Sequence, residues 1–110
     1  MLANFWHKGE SIDYNNPTNK VIPANTVVAV GNRVGVAGTE IAPGAKGSLV
    51  VEGVFILDKK TSSEEIELGV EVYLDGEGVT ATKPEGSDIV AGWVVESSTA
   101  TDTTVKVKIG

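Results

Sequence analysis

The stretch "IELGVEVYLDGEGVTAT", Ile66 to Thr82, decides the class of fold. Ile66, Leu68, Val70, Val72 and Leu74 alternate with Glu67, Gly69, Glu71 and Tyr73, and a period of two puts the first set on one buried face of a strand. Asp75, Gly76, Glu77 and Gly78 follow as turn residues that tolerate positive φ, so "VTAT" is expected to return as the partner strand of a hairpin. The rest of the chain supports many short strands: valine dominates, threonine is common, and 13 glycines break the sequence every few residues.

Working outward, "TVKVKI" (Thr104 to Ile109) alternates in the same way, with Val105, Val107 and Ile109 inward and Lys106 and Lys108 in water. "TVVAV" (Thr26 to Val30), "SLVVEGVFIL" (Ser48 to Leu57) and "IVAGWVV" (Ile89 to Val95) are apolar on both faces, as strands are when covered on two sides. Either a closed barrel or sandwich covers them, or another protein chain does. Trp93, between Gly92 and Val94, is expected in the core. In "TSSEEIELG", Ser62 and Glu65 have capping-box spacing, but Gly69 and the strand pattern leave room for at most one helical turn. "YNNPTN" and "KPEGSD" are loops by composition. The expected fold is all-β: a single small β-barrel or β-sandwich with short hairpins. Residues 1–14 form an N-terminal arm or first strand, and residues 15–110 a single β domain.

A chain of 110 residues is about one domain. No stretch matches a secretory signal, no apolar run is long enough to cross a membrane as a helix, and no membrane partner is expected. The absence of cysteine excludes disulfides and thiolate metal sites, and His7 alone cannot build a histidine metal site within one chain. The net charge of −6 has the wrong sign for a phosphate-binding surface, so nucleic acid is not an expected partner.

The loop "IAPGAKGS" (Ile41 to Ser48) resembles a phosphate cradle only at first sight. A P-loop needs Gly, four residues, then Gly-Lys-Ser/Thr ahead of a helix. Five residues on from Gly38 stands Pro43, which has no N–H to donate; Lys46 precedes Gly47; and a strand-like run follows. The loop is expected to be a turn cornered at Pro43 and Gly44, with Lys46 in solvent. Glu64, Glu65, Glu67 and Glu71 are close in sequence, but Glu67 and Glu71 fall on the polar face, where a solvated acidic surface is the ordinary outcome. No Gly-x-Ser-x-Gly motif or EF-hand spacing occurs, so no catalytic residues, metal ligands or cofactor sites are assigned and the chain is not expected to be an enzyme. Two large aromatics in "NFWHKG" either pack back on the domain or anchor a partner, which makes Phe5, Trp6 and His7 candidate partner contacts.

In order, "NFWHKGESIDYNN", "VIPANTVVAVGNRVGVAGTEIAPGAKGSLVVEGVFILDK", "ELGVEVYLDGEGVTAT" and "DIVAGWVVESS" with "TVKVKI" resemble a family of small capsid cement, or decoration, proteins of tailed phages, across nearly the whole chain. The central run is the most specific portion. The resemblance implies a β-rich structural protein of a phage or prophage that binds the outer surface of the capsid. It further implies stabilisation of the assembled head by bridging subunits, with the major capsid protein as partner and a dimer or trimer as the homo-oligomer. The location implied is the capsid exterior of the virion, with the bacterial host cytoplasm during assembly. The chain departs from the family at Ala24-Asn25-Thr26, where a turn glycine is common, so Asn25 is expected to take the unusual φ. The alternative reading is a small ligand- or carbohydrate-binding β-barrel without catalysis.

Overall fold

The computed structural model describes residues 1–110 and contains nine strands and no helix. Strands β1 (Ser11–Asn15), β2 (Val27–Val30), β3 (Arg33–Ala37) and β4 (Lys46–Val50) form one antiparallel sheet in the order β1-β4-β3-β2. Strands β5 (Gly53–Asp58), β6 (Glu71–Asp75), β7 (Gly78–Thr80), β8 (Val90–Glu96) and β9 (Thr104–Ile109) form a second, in the order β5-β9-β8-β6-β7. The chain completes the first sheet before it starts the second.

The second sheet curls until its two edges meet. Lys59, the residue after β5, bridges to Val79 of β7, and the Lys60 N–H donates to the Val79 carbonyl at 2.8 Å. Gly78 permits this closure, because a Cβ there would lie 2.7 Å from the backbone N and Cα of Lys60. The result is a small barrel-like unit whose interior holds Leu57, Val72, Val79, Val94, Val105, Val107 and Ile109, with Ile66 from a connecting segment. Val34 and Val36 of β3 belong to the same cluster, so the first sheet packs its inner face on the barrel. Burying a Val, Leu or Ile fully is worth roughly 1.5–3 kcal/mol, which makes this shared cluster the main stabilising element.

The other face of the first sheet is covered by its own loop. Ile41, fully buried, lies over Ala37 and Leu49. Gly47 makes room for it: a Cβ at that position would overlap the Ile41 side chain. The loop after β1 is pinned by the buried Asn16, whose amide donates to the Lys20 and Ile41 carbonyls at 2.7 and 3.1 Å and whose oxygen accepts the Thr18 N–H at 2.9 Å. Lys59 is buried too, and its ammonium donates to the carbonyls of Ser62 and Thr99 at 3.0 and 2.8 Å.

Several local expectations hold. The loop at 41–48 turns at Pro43 and Gly44, closed by the Ala45 N–H to Ala42 carbonyl bond at 3.0 Å; Gly44 has φ 71° and Lys46 faces solvent. Asn25 has φ 69°, alone among the non-glycine residues in having positive φ. The hairpin at Asp75–Gly78 pairs Leu74 with Val79, and β9 alternates as its valines require.

Others are corrected. The strand expected from Ile66 starts only at Glu71: Gly69 takes φ 90°, which turns Leu68 out into water while Ile66 stays buried through a bridge to Ser98. "SLVVEGVFIL" is two strands in two sheets, divided at Val51 and Glu52, and Gly53 at φ 128° begins the second. Val54 and Ile56 of that second strand point outward, so the run is not one central strand. "TVVAV" is half-buried at a sheet edge with Ala29 exposed. Trp93 is not in the core. It is 44% exposed, because Val94 on the same strand points inward and the period of two sends its neighbour out. The segment around Ser62 keeps within the expected limit of one helical turn, making a turn with no helix, and Glu64 accepts bonds there from the Thr80 hydroxyl and the Ala81 N–H.

Candidate interaction surface

Met1 to Gly9 has no regular secondary structure and precedes β1 as an arm. Gly9, at φ 76°, and a bond from its N–H to His7 Nδ1 at 2.8 Å shape the junction. The Trp6 and His7 rings lie 4.5 Å apart, tilted at 58°. Phe5 and Trp6 are 85% and 88% exposed, so these aromatics do not pack back on their own domain. Phe5, Trp6 and His7 are thus brought together on the arm and nowhere else, and Leu2 adds a further exposed apolar side chain.

A second exposed apolar set lies on the outer face of the five-stranded sheet. Cross-strand register lines up Val54 of β5, Lys108 of β9 and Trp93 of β8, and beside them Ile56, Lys106 and Glu96. The Lys106 ammonium meets the Glu96 carboxylate at 2.9 Å. This face is hidden in the sequence because the runs that carry Val54, Ile56 and Trp93 are apolar on both sides of the strand. The apolar outer positions of "SLVVEGVFIL" and "IVAGWVV" were the available signal.

A cleft of about 430 Å³ opens where the end of the first sheet meets the barrel seam. Val27, Leu57, Leu74 and Val79 supply its apolar lining, Ile56 stands at its rim, and its charged residues are Asp58 and Glu77. Lys60 lies next to this cleft and is 4.0 Å from the Asp75 carboxylate.

The acidic residues do not converge. No three of the histidine, aspartate and glutamate side chains come together in a way that could hold a metal ion. Glu71 accepts the Tyr73 hydroxyl at 3.0 Å, and that bond pushes the phenol up from its usual value. Lys83 is raised by its bond to Asp88 at 2.7 Å, an exposed pair. Asp102 is held below the usual aspartate value, first by the backbone N–H of Thr99 and then by the Thr99 hydroxyl. Each is a local surface contact of a turn or strand. The arrangement offers apolar and acidic surface for association.

The family model for phage cement proteins matches residues 6–109 of the chain. The chain belongs to the phage cement protein family. Neither the comparison with curated proteins nor that with solved structures finds a match. Membership makes the chain a structural phage protein of the virion capsid, in a family that is typically non-catalytic. The matched span takes in Trp6, His7 and all nine strands.

Proposed function

We propose that this phage cement protein binds the outer surface of the assembled capsid and stabilises the head by bridging neighbouring capsid subunits. The major capsid protein is the principal partner, and copies of the chain associate with one another as dimers or trimers. The protein is made in the bacterial host cytoplasm and joins the shell during assembly. The observation that carries this reading is the arm: Phe5 and Trp6 stand in water on a family member whose core is complete without them. Large aromatics exposed in this way anchor partners, and with His7 they form the contact element to a neighbour in the shell.

Mass action accounts for the stabilisation. A protein that binds the assembled shell and not its separated subunits shifts the equilibrium toward the intact state, and repeated weak contacts in a symmetric lattice gain from effective concentration. The test is to mix the purified protein with capsids assembled from the major capsid protein of the same phage and sediment the shells. Co-sedimentation, with a rise in the temperature at which the shells break open, is expected. Shells that sediment bare overturn the reading.

A further inference from the structure

We propose that the arm of one copy seats in the cleft of a second copy, with Phe5 or Trp6 on the apolar lining and Lys8 over Asp58 and Glu77. This goes beyond capsid binding and stands or falls without a capsid present. The two halves of the contact are both unfilled in the single chain. The arm leaves Leu2, Phe5 and Trp6 in solvent, and the cleft leaves Val27, Leu74 and Ile56 accessible at its wall and rim. Their charges are complementary: Lys8 is the one charged side chain between Met1 and Gly9, while the charged residues of the cleft are both carboxylates. Of the two lysines beside the cleft, the ammonium of Lys59 is bonded to the Ser62 and Thr99 carbonyls, and that of Lys60 stands 4.0 Å from Asp75.

Within one chain the arm and the cleft stay apart. The arm enters β1 at one edge of the four-stranded sheet, and the cleft borders β2 at the opposite edge. Three strand spacings, about 14 Å, separate these edges. Ser11, Val50, Val36 and Val27 lie in one cross-strand row, so the arm leaves the sheet at the end where the cleft lies, yet Phe5 and Trp6 stand in water and not in that cleft. One side of β2 is unpaired, so it also offers free backbone N–H and C=O groups along the cleft to an extended segment. Each copy gives one arm and receives one, a head-to-tail contact that closes into a ring of two or three copies.

The test uses the full chain in solution. In a Trp93→Phe background Trp6 is the only tryptophan, and its emission should shift to the blue as concentration rises, in step with the mass seen by analytical ultracentrifugation. Phe5→Ala with Trp6→Ala, both in exposed positions that cannot unfold the barrel, should weaken association at least about tenfold. Asp58→Lys with Glu77→Lys should do the same, and circular dichroism shows whether that variant is folded. Two variants complete the test: a chain lacking residues 1–8 has a cleft and no arm, and the Asp58→Lys, Glu77→Lys chain has an arm and a blocked cleft. Each alone should be monomeric, and mixed they should form a one-to-one complex and nothing larger. A wild-type chain that stays monomeric, a blue shift independent of concentration, or variants that associate as the wild type does would each overturn the proposal. Any of these results leaves co-sedimentation with capsids to be judged separately.

Discussion

Replacing Gly78 by alanine should open the barrel seam. The new Cβ would stand 2.7 Å from both the N and Cα of Lys60 and 2.9 Å from the Lys59 carbonyl carbon. These are backbone atoms, so no side chain can swing aside and the two edges must separate by several tenths of an ångström. Overpacking of this kind costs about 1–3 kcal/mol. Separation also weakens the Lys60 to Val79 bond, now 2.8 Å, worth about 0.5–1.5 kcal/mol. A total near 2–4 kcal/mol should lower the melting temperature by about 10–20 °C in a domain of this size. Urea denaturation followed by circular dichroism measures the loss, and hydrogen exchange at the Lys60 amide locates it. The control is Gly38→Ala, where the nearest heavy atom to a new Cβ is 3.7 Å away and the change should fall within about 0.5 kcal/mol. If Gly78→Ala behaves like Gly38→Ala, the seam is not closed as described.

Gly47→Ala should destabilise by about 1–3 kcal/mol through overlap with Ile41, and Ile41→Ala by about 2–5 kcal/mol. The double variant should lose clearly less than the sum in a denaturation cycle, because each change removes what the other one disturbs. Trp93→Ala should cost about 1 kcal/mol or less while Val94→Ala, at the next position and fully buried, costs about 2 kcal/mol, a reversal of the order that side-chain size suggests. Asp102, held low by Thr99, makes a contribution to stability that is fully present above the ordinary aspartate pKa and is lost as the pH falls through the lower folded-state value. Carboxyl-carbon NMR titration should place its inflection below the ordinary aspartate value, and an inflection at that value would count against the Thr99 bond.

Sequence reading recovered what depends on local chemistry. Pro43-Gly44, Asp75 to Gly78 and Asn25 specify their turns by the φ values they tolerate, and the structure has positive φ at Gly44, Gly76 and Asn25. Alternation recovered β9, whose Lys106 and Lys108 mark the outer face unambiguously. It failed where both faces carry apolar residues, since a period of two has no phase without polar markers. "SLVVEGVFIL" and Trp93 therefore could not be oriented, and the break at Gly69 was hidden inside a run that alternates perfectly on paper. The arm was legible as a candidate contact from Phe5 and Trp6 alone. The cleft was not, because it joins Val27, Leu57, Leu74 and Val79, which only the meeting of the two sheets brings together.

The clean division of the chain at Val51 and Glu52 has a consequence for how the protein is born. A ribosome delivers β1 to β4 complete before any barrel strand exists, and a chain emerges at about 5–20 residues per second. For that interval Val34 and Val36 have nothing to cover them, since their partners in the cluster come from the later half. The nascent first sheet must wait with its sticky face uncovered for seconds, because β9, the middle strand between β5 and β8, is the last of the nine to be made. Folding of the barrel is therefore expected to follow that of the first sheet, which acts as the template on which it settles.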